Sequence, residues 1–361
     1  MSLETLLQRV IRPEVQRLKA YHVADARGLI KLDAMENPYA WPEAAIAGLL
    51  ETLKNSAMNR YPDPEARTLQ QALRDSQGIA SQHGLLLGNG SDEIIAMLMM
   101  ALPSKACVLA PEPTFVMYRQ IAGTLGLDFQ GIPLLADSFA LDMNALCQII
   151  EDKQPALIFL AYPNNPTGNL FAESDINAVL VRAPGLVVVD EAYAPFTEAS
   201  YLPMLGEHDN LLVMRTLSKL GLAGLRLGYL AGHPALIEQL NKIRLPYNIN
   251  VLTQIAAEFA LTEGDFLTQQ TQTLTEQRGV LQAGLHTLPM LTVYPSEANF
   301  IMFKAPDNQA DIIHQSLKDA GILIKNLSPQ GGLLQDCLRV TVGTPTENQA
   351  FLKALNQCLM A

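Results

Sequence analysis

Lys219, in the run Thr216-Leu217-Ser218-Lys219 with Arg226 seven residues later, is preceded along the chain by Asn165 and Asp190. A lysine amine forms Schiff bases with aldehydes, a carboxylate keeps a pyridine nitrogen protonated, and an amide donates to a phenolate oxygen. Those groups are the protein's side of pyridoxal-phosphate chemistry. Taken alone, Ser218-Lys219 reads as a solvated lysine after a hydroxyl residue, and Asp190 reads as a helix N-cap. The order and setting of several such segments carry the chemical reading.

Three further segments belong with them. Gly88-Asn89-Gly90-Ser91-Asp92-Glu93 follows the apolar run Leu85-Leu86-Leu87 and precedes a helical run from Ile94 to Leu102. A glycine turn into a helix with Ser91 as N-cap leaves backbone N–H groups free, which makes either a phosphate cradle or a plain capped turn. In Tyr162-Pro163-Asn164-Asn165-Pro166-Thr167-Gly168 two prolines fix the backbone, and Pro166 keeps Asn165 out of the helical region, so its amide is held in one orientation. Asp190-Glu191-Ala192-Tyr193 places a carboxylate and a phenol three residues apart.

The elements that must position these groups are legible as apolar runs. Cys107-Val108-Leu109, Leu157 to Leu160, Leu186 to Val189, Leu211 to Met214 and Leu227 to Leu230 suit strands buried on both faces of a mostly parallel α/β sheet. Asp190 and Asn165 follow the C-terminal ends of two of them, where open α/β sheets bind ligands. From Ala235 to about Leu288 the pattern is helical, interrupted by Pro246, with a long stretch from Asn250. The chain then predicts strand (Ala298 to Phe303), helix (Gln309 to Ala320), strand (Cys337 to Val342) and helix (Thr346 to Leu359). The division expected is a large domain over 44–287 and a small domain made of 1–43 with 288–361.

The 361 residues are 49% hydrophobic and 17% charged, with mean hydropathy +0.13, which predicts a buried sheet and apolar surface hidden by association. A net charge of −11 without a long basic run argues against nucleic-acid or membrane partners. Cys107, Cys147, Cys337 and Cys358 show no metal-ligand spacing, so no metal site is expected and the thiols suit a reducing compartment. No apolar run has the length of a signal or a membrane span, which makes a cytoplasmic protein the expectation.

Gly90-Ser91-Asp92-Glu93, Pro163 to Gly168, Asp190-Glu191-Ala192-Tyr193, Ser218-Lys219 with Arg226-Leu227-Gly228-Tyr229, and Leu338-Arg339-Val340-Thr341-Val342-Gly343 resemble, in order and over almost the whole chain, the successive signatures of the fold-type I aminotransferases, histidinol-phosphate subgroup. The resemblance implies a pyridoxal 5'-phosphate enzyme that moves an amino group between glutamate and imidazole-acetol phosphate. It implies that Lys219 carries the cofactor and shuttles the substrate proton, that Asp190 pairs with the pyridine nitrogen, and that Asn165 and Tyr193 contact the phenolate oxygen. The cofactor phosphate would take the backbone around Ser91 and Asp92, together with Ser218 and Arg226. Tyr61, in Arg60-Tyr61-Pro62-Asp63-Pro64, would reach the same phosphate across a homodimer interface.

Phe115 stands where the family stacks an aromatic ring on the cofactor, often a tyrosine. Arg339 matches a substrate-anion arginine, and Lys325 stands where many members have a second one. Tyr21 and Asn37 are further candidates for the substrate. Met35, in Met35-Glu36-Asn37-Pro38-Tyr39, replaces a frequent asparagine. The Lys219 to Arg226 spacing is one residue shorter than in many members, a tighter loop that Gly221 and Gly224 are expected to absorb. The same resemblance leaves open an aromatic or broad-specificity aminotransferase and a decarboxylase of a phosphorylated amino acid.

Overall fold

The structure is a computed structural model that describes residues 1–18, 20 and 24–360. Its described strands are β1 (Ile30–Leu32), β2 (Gly84–Gly88), β3 (Cys107–Glu112), β4 (Asp128–Pro133), β5 (Leu157–Ala161), β6 (Leu186–Asp190), β7 (Leu211–Thr216), β8 (Gly228–Gly232), β9 (Thr292–Val293), β10 (Phe300–Lys304), β11 (Ile322–Asn326) and β12 (Cys337–Thr341). They form a seven-stranded sheet, β2-β8-β7-β6-β5-β3-β4, and a five-stranded sheet, β1-β11-β12-β10-β9.

In the larger sheet β7, β6, β5, β3 and β4 run parallel, and β8 is antiparallel to both its neighbours. The reversal at β8 follows from chain length: residues 217–227 are too few for the helical crossover that a parallel return needs. The connection that this leaves at the sheet's edge is the one carrying Lys219. Alternate residues of the central strands feed two apolar layers. Ile158, Leu160, Val187, Val189, Leu211 and Val213 pack on one face, and Leu157, Phe159, Val188, Leu212 and Met214 pack on the other. Burial on both faces is why these strands read as unbroken apolar runs.

Three helices, Pro234–Asn241, Val251–Glu263 and Asp265–His286, fill the predicted helical region. Asn250 caps the second by accepting from the N–H of Thr253 at 2.9 Å. The stretch is broken at Gly264, where a Cβ would lie 1.9 Å from the carbonyl oxygen of Ala260. The helix Asp265–His286 rises about 33 Å and buries Leu267 in the first core and Leu274, Leu281 and Leu285 in the core of the smaller sheet. It therefore fastens one sheet to the other. The smaller sheet takes β1 from the N-terminal segment, paired parallel to β11, a strand that lay unrecognised within the Ile322-Leu323-Ile324-Lys325-Asn326 run. Among the described residues no helix is long and apolar enough to cross a membrane.

Candidate active site

Strand register brings the candidate groups together. Ala161 lies opposite Asp190 and Asp190 opposite Met214, so β5, β6 and β7 end side by side, and the loops after them open on one cavity of ≈ 260 Å³. Its walls include Ser91, Phe115, Asn165, Asp190, Tyr193 and Lys219. Thr216, Ser218, Arg226, Asp92 and the segment from Ala34 to Glu36 line it as well.

The Lys219 amine donates to the carbonyl oxygen of Ala34 at 3.1 Å and lies 5.9 Å from the centre of the Tyr193 ring. Burial, reinforced by the nearby positive charges of Arg339 and Arg226, lowers its pKa from 10.5 to about 8. A useful fraction of the amine is thus neutral and nucleophilic near physiological pH. The short loop to Arg226 is closed by Gly221 at φ +120 and by Arg226 itself at φ 50. Gly224 has no left-handed backbone and open space around it, so of the two glycines expected to absorb the shortening only Gly221 does so.

Asp190 is buried and accepts from the Tyr118 hydroxyl at 2.5 Å and from the Ala192 N–H at 3.1 Å. Burial dominates, so its pKa rises to about 6 despite those two bonds. A cation brought into the cavity would reverse that shift. Tyr118 is the functional residue that sequence reasoning missed. It lies one helical turn after Phe115, in the helix Met117–Leu125, and its ring is stacked on Phe159 at 4.4 Å. The signal was an aromatic three residues beyond Phe115 on the same face. Asn165 donates to the Tyr193 hydroxyl at 3.0 Å and accepts from Arg339 Nη1 at 2.5 Å, so its amide is fixed from both ends.

At the other end of the cavity the helix Ser91–Met100 begins. Its N-cap is Gly90, at φ 84 and ψ 164, and not Ser91; Ser91 is the first helical residue and its side chain is left to the cavity wall. That backbone favours glycine, and a Cβ there would lie 2.7 Å from Arg226 Nη2. Arg226 donates to the Ser218 hydroxyl at 3.4 Å and approaches Asp92 at 3.6 Å, while Asp92 Oδ1 has no hydrogen-bond partner among the described residues. First-turn N–H groups, a hydroxyl and a guanidinium thus converge where an anion would sit. An amine for an aldehyde, a buried carboxylate for a ring nitrogen and this anion cup fit pyridoxal phosphate. Among the described residues no cluster of His, Cys, Asp and Glu could hold a metal ion.

The remaining candidates are placed differently. Arg339, on β12, also donates to the carbonyl oxygen of Asp33 at 3.0 Å and lies over the Phe300 ring at 5.1 Å. Lys325 is its cross-strand neighbour on β11, beside Arg339 and outside the cavity wall. Asn37 is not brought into the cavity. Its amide donates to the Leu220 carbonyl at 3.3 Å and to Gln270 at 2.9 Å, and its oxygen accepts from the Tyr39 N–H at 2.9 Å, which uses it to strap the N-terminal segment over the Lys219 loop. Tyr61 is 80% exposed, stacked on Tyr247 at 4.4 Å and away from the cavity of its own chain. Tyr21 lies outside the described residues.

Residues 27–355 match the family Aminotransferase class I and II. The chain is 56% identical to histidinol-phosphate aminotransferase 2 of Nitrosococcus oceani, over 96% of either chain. It is 51% identical to histidinol-phosphate aminotransferase of Chromobacterium violaceum, over 97% of this chain and 98% of that one. Among solved structures, histidinol-phosphate aminotransferase of Sinorhizobium meliloti in complex with pyridoxal-5'-phosphate superposes with a TM-score of 0.86 at 22% identity, covering 97% of this chain and 98% of that one. L-threonine-O-3-phosphate decarboxylase of Porphyromonas gingivalis superposes at 0.79 and 22% identity, over 92% and 100%. The architecture is thus the fold-type I α/β fold, and the family match over residues 27–355, with relatives at 56% and 51% identity, shows that the chain belongs to the class I and II aminotransferases.

Proposed function

We propose that the protein is a pyridoxal-phosphate-dependent histidinol-phosphate aminotransferase. It exchanges an amino group between glutamate and imidazole-acetol phosphate, as a cytoplasmic homodimer with small-molecule substrates. The observation that carries the reaction class is a buried lysine amine, its pKa lowered to about 8, sharing one cavity with a buried, hydrogen-bonded carboxylate. The substrate rests on relatives of that name at 56% and 51% identity.

When bound, the cofactor supplies an electron sink for the bond broken at the substrate's Cα. Asp190 holds a proton on the ring nitrogen, and Tyr118 keeps the Asp190 carboxylate oriented. Tyr193 and Asn165 hold the phenolate oxygen, and Phe115 covers a ring face. The backbone N–H groups around Ser91 and Asp92, with the Ser218 hydroxyl and the Arg226 guanidinium, hold the phosphate, joined by Tyr61 from across the dimer. Lys219 Nζ takes and returns the Cα proton, which its lowered pKa suits to neutral pH. Arg339, with Lys325 beside it, takes the substrate anion. A large domain over 44–287 and a small one of 1–43 with 288–361 bring these two sets together, in line with the pairing of β1 to β11.

Half-reactions followed by the cofactor's visible absorbance test the substrate. Glutamate and histidinol phosphate should each convert the loaded enzyme, faster than phenylalanine or tyrosine. Rapid conversion by an aromatic amino acid with none by histidinol phosphate would make the protein an aromatic aminotransferase, and release of carbon dioxide from a phosphorylated amino acid would make it a decarboxylase.

Two further outcomes are expected. In phosphate-free buffer the cofactor-free protein should gain bound-cofactor absorbance at a rate that climbs with a midpoint near pH 8, because only the unprotonated Lys219 amine attacks. A rate still climbing toward 10.5 would mark an ordinary solvated lysine. Second, mixing Tyr61→Ala and Lys219→Ala homodimers under subunit exchange should create dimers with one doubly defective and one intact site, restoring about half the activity per heterodimer. Verified exchange without recovery would place Tyr61 outside the neighbouring site.

A further inference from the structure

One buried charged cluster lies beneath the cavity and is unused by the reaction just described. Glu191 follows Asp190 directly and is wholly buried. Its N–H donates to the Met214 carbonyl at 2.8 Å, which carries the β6–β7 ladder one residue past Asp190. Because successive residues of a strand face opposite ways, Asp190 turns toward Tyr118 while Glu191 turns to the other layer. There Glu191 Oε2 accepts from Arg215 Nε at 2.9 Å and Nη2 at 2.7 Å and from the Ser200 hydroxyl at 3.1 Å. Its other oxygen accepts from the Tyr201 N–H.

Arg215 is itself tied down. Its Nη1 donates to Gln77 Oε1 at 2.7 Å, an oxygen that also accepts from the Tyr229 hydroxyl at 3.1 Å. The cluster therefore joins the ends of β6 and β7, strand β8, the 200–201 loop and the last residue of the helix Arg67–Gln77. Neither Glu191 nor Arg215 lines the catalytic cavity, yet each is next in sequence to a residue that does, Asp190 and Thr216. Thr216 continues the constraint: Ser218 N–H donates to its hydroxyl oxygen at 3.2 Å, and Lys219 follows.

A buried ion pair gains little stability over apolar side chains of similar size, because removing both charges from water offsets their attraction. Its directional bonds instead fix one arrangement. We propose that Glu191 and Arg215 are positioning residues, whose saturated buried pair sets the separation and orientation of Asp190 and Lys219 across the ends of β6 and β7. This rests on the reading that Asp190 and Lys219 carry the chemistry.

The test compares Glu191→Gln, which keeps shape and removes charge, Arg215→Lys, which keeps charge and removes the fork, and Gln77→Ala, a half-buried outer member. In loaded enzyme, kcat per folded, cofactor-bearing subunit should fall about 10- to 100-fold in Glu191→Gln and Arg215→Lys, with KM for glutamate changed less than about threefold. In cofactor-free protein the pH midpoint for acylation of Lys219, read by peptide mass, should move up from near 8 by about one unit as the amine loses its fixed buried position. Gln77→Ala should move both in the same sense by less.

Variants that melt at lower temperature yet keep the parent kcat per folded subunit and the parent Lys219 midpoint would make the cluster a stability element and overturn the proposal. Should Glu191→Gln fail to fold, Arg215→Lys and Gln77→Ala carry the same comparison. A parent enzyme that does not transaminate would defeat the functional reading alone, since the Lys219 midpoint still decides the positioning.

Discussion

Lys219→Ala is expected to lower turnover by at least about 10⁴-fold, because it removes both the covalent attachment and the base, and proton transfer by a positioned group alone is worth about 10²- to 10⁴-fold. Among the described residues no other amine lines the cavity wall. The fold should survive. The Lys219 pKa in the folded chain is about 8 against an ordinary 10.5, so between those values the unfolded chain binds more protons and stability rises with pH. Below pH 8 the buried ammonium is a standing penalty, and alanine removes it along with the side chain's methylene contacts. At pH 7 the cofactor-free variant should therefore melt within about 1–2 °C of the parent, a shift worth about 1 kcal/mol in a chain of this size. Near-normal turnover, or a bound-cofactor band that survives borohydride-free dialysis as in the parent, would place the cofactor on another lysine.

Much of that site was legible because its residues sit where strands end. Asp190 follows three valines, and Asn165 and Lys219 lie in the loops after β5 and β7, so apolar runs bounded by polar residues marked them. What stayed hidden depends on pairing at long sequence separation. Tyr118 meets Asp190 across 72 positions, and Arg215 meets Glu191 across 24; nothing local in either segment announces the partner. Strand β4, which contains Gln130 and Gly131, and the short β1 and β9 lack an apolar run of their own and take shape from the neighbour they pair with. Gly90 could be read as part of a turn, but only its left-handed backbone, closed against Arg226, moves the cap from Ser91 to Gly90. Asn37 matched a motif by position, and its three hydrogen bonds turn it from the cavity to the strap over the Lys219 loop.

Asp190→Asn should separate stability from activity. The folded-state pKa of Asp190 is raised to about 6 from 3.8, so its contribution is fully present below 3.8 and is lost as pH rises through about 6. Above pH 6 the cofactor-free chain buries an ionised carboxylate that accepts from Tyr118 and Ala192, a penalty on the order of 3 kcal/mol at most for a shift of that size. A protonated ring nitrogen is the charge that would offset it. The asparagine variant has nothing to ionise at this position, so without cofactor it should lose less stability between pH 4 and 7 than the parent does, and at pH 7 it should melt above the parent. With cofactor the order should reverse, because the parent gains an ion pair that asparagine cannot make. Turnover should fall by at least about 10²- to 10³-fold, the scale for removing one preorganised electrostatic partner. Tyr118→Phe should fall between the two: it deletes a donor to the carboxylate, which raises the Asp190 pKa further and steepens the parent's loss of stability above pH 6. If the asparagine variant keeps parental turnover, or if cofactor raises the melting temperature of both proteins equally, Asp190 does not face the ring nitrogen.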